Sequence, residues 1–352
     1  MSKLADFALN FRYAFRPRKP ILVFRLVWTV LKTKFTGKAP LRYVDFSINH
    51  ACNLTCEHCF AKALHAKGRP SMTVKDYARV AQECMKLGTV NFSFQGGEPL
   101  LCKDLQDIIT ACKPARNVIS VTTNGTLLTS ERVRQLHSWG VDILTVSLDS
   151  SLAVEHDAFR GMPGALEKAK AGIDLALAEG LNVTIGTVVT HANLRSEGIK
   201  GLIEFAVAKK TLLYFILPVP AGNWMANMDI LLTDEDLTYI EEITRTNRYI
   251  RTDFQANLGP KGCGAAKEIL YLTPHGDVLP CPFMHISFGN VLSEPVGLIR
   301  DRMLQNPYLG VYHQKCLVST DRQFVDNYLS RTFSASSLPM PAKEAFREES
   351  CS

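Results

Sequence analysis

From residue 41 onward, short runs of β-branched and aromatic residues alternate with stretches of helical period, and Gly, Pro, Asn or Asp marks most of the changes. Six runs read as strands: LRYVDFSIN (41–49), VNFSF (90–94), NVISVTT (117–123), DILTVSL (142–148), NVTIGTVVT (182–190) and LLYFILPV (212–219). The helices between them have legible ends. Thr73 with Asp76 has the spacing of a capping box, Tyr77, Val80, Ala81 and Cys84 form an apolar stripe, and Gly88 supplies a C-terminal stop. Thr233 with Asp236 opens another helix, with Leu237, Ile240 and Ile243 turned inward. Repeated βα units predict an α/β fold whose parallel strands form a partial (β/α)6 barrel. In such a sheet, ligands lie beyond the carboxyl ends of the strands.

The rhythm divides the chain. Residues 1–40 form a basic amphipathic N-terminal segment, 41–250 the TIM-like barrel core, and 251–332 a smaller extension of short apolar pieces broken by Gly and Pro. The small, polar, proline-bearing stretch 333–352 reads as a disordered tail, Cys351 included.

Charge alters the reading of the first segment only. Residues 1–40 carry nine basic residues against Asp6 alone, although the whole chain is only +6. Within PILVFRLVWTVLKTKF (20–35), apolar bulk sits beside Arg25, Lys32 and Lys34, a composition suited either to packing on the barrel or to lying on an anionic bilayer. Residues 11–38 are therefore the expected place of a peripheral membrane contact. There is no secretory signal and no apolar run long enough to cross a bilayer, so the expected location is cytoplasmic, at the inner face of the membrane if that contact forms. No nucleic-acid motif accompanies the basic residues, and no nucleic-acid partner is expected.

Cys52, Cys56 and Cys59 crowd into HACNLTCEHCF, the loop after the first strand. C-x3-C-x2-C spacing can wrap three corners of a cubane iron-sulfur cluster, the reading the spacing favours; in the rival reading Cys56 and Cys59 form one knuckle of a structural zinc site in a non-catalytic protein, with His50 or His58 completing the set. The next strands end in Gly96-Gly97-Glu98-Pro99, Thr123-Asn124-Gly125 and Ser147-Leu148-Asp149, and HDAFRG follows at 156–161. Together these segments resemble the radical SAM superfamily over about residues 41–220. The resemblance implies that Cys52, Cys56 and Cys59 hold a catalytic 4Fe-4S cluster. It also implies that Gly96, Gly97, Glu98, Asn124, Ser147, Asp149 and Arg160 bind S-adenosylmethionine: Glu98 at the amino group, Ser147 and Asp149 at the ribose, Arg160 at the carboxylate. An electron donor such as flavodoxin or ferredoxin would reduce the cluster.

Cys263, Gly276 and Cys281, in the pattern C-x12-G-x4-C with GNV at 289–291, resemble the auxiliary-cluster extensions called SPASM and twitch. With Cys316 they offer three thiols to a second iron-sulfur cluster, for which His313 or Asp321 is a candidate fourth ligand. Cys84 and Cys112, on apolar helical stripes, read as core residues. Forty residues before the first strand leave no room for the leader-binding domain of peptide-modifying relatives. The substrate expected is thus a tetrapyrrole, a lipid or isoprenoid, or another small metabolite; a peptide-modifying maturase served by a separate leader-binding protein is the alternative.

Overall fold

The computed structural model describes residues 19–36, 39–66, 68–254 and 262–347. In chain order, helix α1 (Pro20–Thr36) precedes strand β1 (Tyr43–Asn49), α2 (Val74–Leu87), β2 (Asn91–Gly96), α3 (Leu105–Ala111), β3 (Val118–Thr123), α4 (Ser130–Ser138) and β4 (Ile143–Ser147). Two helices, α5 (Ala153–Arg160) and α6 (Ala165–Ala178), lead to β5 (Asn182–Val188); α7 (Glu197–Lys209), β6 (Leu212–Ile216), α8 (Asp234–Thr246) and β7 (Ile250–Thr252) follow. The extension contributes β8 (Ile269–Leu272), β9 (Val278–Leu279), β10 (Ile286–Ser287), α9 (Val296–Gln305), α10 (Arg322–Asn327), β11 (Met340–Pro341) and α11 (Ala342–Ala345).

All six strands expected from the sequence form, and each lies beside its successor in a parallel ladder. Such strands are covered on both faces, which is why β1 is buried at every position but its two ends. The sheet is nonetheless wider than six strands, in the order β7-β6-β5-β4-β3-β2-β1-β8-β9. Its two edges are not paired with each other, so the barrel is partial. The capping boxes at Thr73 and Thr233 are both made, and Gly88 closes α2 at φ 113°, a conformation that favours glycine.

Two boundaries differ from the sequence reading. The extension is not a detached unit, because β8 pairs in parallel with β1 and its hairpin partner β9 completes that edge of the sheet. Arg42 reinforces the seam, donating from Nε and Nη2 to the Glu268 carboxylate at 3.0 and 2.5 Å. The stretch 333–347, expected to be disordered, is ordered. Met340 donates its N–H to His285 O at 2.9 Å, β11 pairs with β10, and Phe346 packs against Tyr328 and Phe288. A few apolar anchors in a polar stretch suffice once a groove exists to receive them; Cys351 lies outside the described residues.

Helix α1 lies across the amino-terminal ends of the strands. Lys19 Nζ donates to Asn117 O and Gly140 O and pairs with Asp142 at 2.5 Å, while Arg25 reaches Arg116 O and Thr89 O. Leu22 is fully buried with Val90 and Val118, and Leu26 packs beside them.

Candidate active site

Opposite α1, at the carboxyl ends of the strands, the loops converge on a pocket. Its inner wall is formed by Cys52, Cys56, Cys59, Gly96, Gly97 and Asn124, with Ser147 and Arg160 beside them. Its outer wall is apolar: Val188, Ile216, Leu217, Val219, Trp224 and Phe283.

Backbone bonds fix the cysteine loop. Gly97 and Glu98 donate their N–H groups to Asn49 O and Ala51 O at 2.9 and 2.8 Å, and Thr55 and Glu57 donate to Arg160 O and Phe159 O. The two glycines are required by this approach. A Cβ on Gly96 would lie 2.3 Å from Asn49 O, and one on Gly97 would lie 2.2 Å from Ala51 O. Residues without any sequence signal also support the loop: Asn53 bridges Asn124 and Thr126, Asn223 Nδ2 donates to Cys56 O at 2.8 Å, and Trp224 Nε1 donates to Glu57.

The two acidic residues expected at the cofactor, Glu98 and Asp149, are not among the residues that line the pocket. Glu98 is fully buried and its carboxylate is committed: Oε1 accepts from Leu100 N at 3.0 Å and Thr123 Oγ1 at 2.7 Å, and Oε2 accepts from Asn124 N at 2.8 Å. It joins the turn after β2 to the turn after β3 and is absent from the pocket wall. Burial, opposed by these donors, raises its pKa. Asp149 is likewise a structural node. Its Oδ1 accepts from Val188 N, its Oδ2 pairs with Arg160 Nε at 2.6 Å, and its own N–H donates to His156 Nδ1. Burial would raise its pKa, but Arg160, His58 and His156 hold the carboxyl below its usual value. Ser147, Asn124 and Arg160 do line the pocket, and Arg160 Nη1 also points at Cys56 Sγ, 3.8 Å away.

Burial pushes up the thiols of Cys52 and Cys56, with Arg160 opposing the shift at Cys56. His58 stacks on Phe159 with centroids 4.6 Å apart; burial and then Arg160 lower its pKa to about 4, so it is neutral at pH 7. Among the described residues, no three His, Cys, Asp or Glu side chains converge on the position of one metal ion. The three thiols all line the pocket. Three thiolates on one pocket can hold a polynuclear cluster, whose ligands go to separate irons.

The extension gathers its own thiols. Burial pushes Cys281 up to about 12 and Cys316 up as well, and the nearby charges of Cys263 and Asp253 act on both. The fourth ligands suggested by sequence are engaged elsewhere: His313 Nε2 contacts Tyr308 O at 2.8 Å, and Asp321 Oδ1 caps α10 through Phe324 N. Asp253, just past β7, is the carboxylate this region adds. Cys84 and Cys112 are fully buried in the core.

Residues 46–206 match the family model for the Radical SAM superfamily. That match makes residues 46–206 a radical SAM domain and the chain an S-adenosylmethionine-dependent enzyme, for which the family of that domain implies S-adenosylmethionine and a 4Fe-4S cluster. It is 25% identical over 326 residues to the AdoMet-dependent heme synthase of Nitratidesulfovibrio vulgaris Hildenborough, covering 81% of this chain and 89% of that protein. It is 35% identical to a probable GTP 3',8-cyclase of Methanocella arvoryzae over 48% of this chain and 54% of that one. In fold it is similar to Streptococcus suis SuiB bound to its precursor peptide SuiA, with a TM-score of 0.59 at 19% identity over 80% of this chain and 69% of SuiB. No described helix is long and apolar enough to cross a membrane.

Proposed function

We propose that the chain binds a 4Fe-4S cluster through Cys52, Cys56 and Cys59 and S-adenosylmethionine in the adjoining pocket, and abstracts hydrogen from an apolar, tetrapyrrole-like small molecule. The observation that carries this reading is the convergence of three thiols, Arg160, Ser147 and Asn124 on one pocket at the carboxyl ends of the strands. When bound, the cluster and S-adenosylmethionine supply a 5′-deoxyadenosyl radical. The chain's own residues orient and enclose. Arg160 is the cation of the inner wall, available to a bound carboxylate on the side not paired with Asp149, and Ser147 and Asn124 offer polar atoms to a ribose or amino group. Val188, Ile216, Leu217, Val219, Trp224 and Phe283 exclude water from the reacting carbon.

The substrate class rests on that apolar wall and on the length of the match to a heme synthase, which at 81% of the chain reaches into the extension, whereas the cyclase match covers less than half of the chain. Anaerobically reconstituted protein should form 5′-deoxyadenosine from S-adenosylmethionine and dithionite, and an iron porphyrin carrying propionate groups should accelerate it and change its own Soret spectrum. Stoichiometric zinc with no visible chromophore would reject the cluster; 5′-deoxyadenosine formation indifferent to porphyrins would reject the substrate class.

The same reading assigns one auxiliary cluster to Cys263, Cys281 and Cys316, with Asp253 as the candidate fourth ligand. The support is the electrostatic proximity of Asp253 to these thiols, although Asp253 Oδ1 also accepts backbone N–H groups, from Leu217 and Phe254. A flavodoxin- or ferredoxin-like protein is the expected source of the electron.

A further inference from the structure

Helix α1 is apolar on two faces. The inner one, with Leu22 and Leu26, is spent on the barrel. The outer one repeats at 21, 24, 28, 31 and 35, the three- and four-residue steps of a single stripe. Along that stripe Phe24 is 69% exposed, Trp28 60% and Phe35 86%, and Ile21 and Leu31 are exposed as well. A continuous row of exposed aromatic and aliphatic side chains on one helix is the kind of patch that marks an interaction surface.

We infer that this outer face of α1 docks on an anionic lipid bilayer. Two observations select that occupant. Apart from Lys19 and Arg25, which face the barrel, the first 40 residues carry seven basic residues against one acidic, so a second copy of the chain placed face to face would bring segments of like charge together, whereas an anionic headgroup layer would neutralise them. The stripe also presents Trp28 and two phenylalanines, which bury well at the level between headgroup and acyl chain and have no use against a phosphate backbone. The helix is held rigidly for this purpose by Lys19 and Arg25, whose charges are turned into the strand ends. Because α1 crosses the amino-terminal ends of the strands and the pocket opens at their carboxyl ends, the bilayer holds the barrel with its mouth facing the aqueous side. The contact tethers the enzyme and does not feed the pocket, so it stands independently of the substrate proposed above.

The test is sedimentation of the full chain with large vesicles of phosphatidylcholine containing about 30% phosphatidylglycerol, against pure phosphatidylcholine, at low salt and at about 0.5 M salt. The wild type should pellet with anionic vesicles and lose at least about tenfold in partition coefficient on neutral vesicles or at high salt. Phe24→Ser/Trp28→Ser/Phe35→Ser should lose as much while keeping the wild-type melting temperature, since all three side chains face solvent. Should that variant fail to fold, the wild type decides alone: a blue shift of tryptophan emission on anionic but not neutral vesicles supports the contact. Wild-type protein remaining in the supernatant, an intact variant that pellets equally, or a dimer dispersed by the substitutions without vesicle binding would overturn it.

Discussion

Replacing Glu98 by Gln separates a residue that binds the cofactor from one that builds the site. The carboxylate is fully buried and accepts three donors on two oxygens. Glutamine keeps one oxygen. In its better orientation that oxygen still receives Leu100 N and Thr123 Oγ1, and the new amide then faces the N–H of Asn124, donor against donor. One charge-assisted hydrogen bond is lost, about 1.5–3 kcal/mol, and a buried N–H goes unpaired, about 1–3 kcal/mol. Removing a charge that burial already disfavours returns part of this. The net expectation is a loss of about 2–4 kcal/mol. Urea unfolding of the metal-free, reduced chain should show the midpoint falling accordingly, and Glu98→Asp, too short to span both turns, should fall at least as far. Affinity for S-adenosylmethionine, measured by equilibrium dialysis on reconstituted protein, should weaken only several-fold, through the loosened Asn124 turn. A variant as stable as the wild type that has lost a hundredfold or more in affinity would refute the reasoning and place the carboxylate on the ligand.

Cys52→Ala, Cys56→Ala and Cys59→Ala should each remove about four irons per chain and the visible absorbance of the catalytic cluster, whereas Cys84→Ala in the core should leave iron unchanged. Cys263→Ala should remove a second set of irons, and Asp253→Asn should alter the electron paramagnetic resonance signal of that set alone; iron unchanged by Cys263→Ala would show that the extension holds none. Gly97→Ala forces a Cβ to within 2.2 Å of the Ala51 carbonyl, so the turn must move; iron retention after gel filtration should fall sharply, and full retention would contradict the packing. Asp45, inside the barrel, has its pKa raised to about 7, first by burial, with Ser93, Tyr43 and Gln95 opposing. The native state therefore keeps a proton that the unfolded chain releases near pH 4. The associated stability is full below about pH 4 and is lost as pH rises through about 7, by up to about 4 kcal/mol. Asp45→Asn should flatten that slope in chemical denaturation series, and an unchanged slope would exclude Asp45 as its source.

What could be read from the chain was what short-range spacing encodes. The C-x3-C-x2-C loop, the glycine turns and the capping boxes at Thr73 and Thr233 each lie within about a dozen residues, and the helical and strand periods are local by nature. Glu98 and Asp149 were legible as residues of the site, but the bonds they make were not, because the donors a carboxylate meets are brought to it by folding. Here those donors come from Thr123, Asn124, Arg160 and Val188. Asn223 and Trp224 reach the cysteine loop from 167 residues away, beyond any local pattern. Strands β7 and β8, of 3 and 4 residues, are too short to show a period, and the ordered end at Met340–Phe346 depends on a groove made by other segments.

The seam between β1 and β8 sets an order of events during synthesis. Arg42 and Glu268, paired across it, are 226 residues apart. At about 5–20 residues per second the ribosome needs roughly 10–45 s to deliver the second after the first. For that interval the strand that leads into Cys52 has one bare edge, with its backbone donors and acceptors open to another chain. A nascent chain halted near Thr252 would hold the whole cysteine loop and its neighbouring turns yet keep that edge uncovered. Its expected fate is self-association, which makes the last quarter of the polypeptide a guardian of the first strand as well as a part of the site.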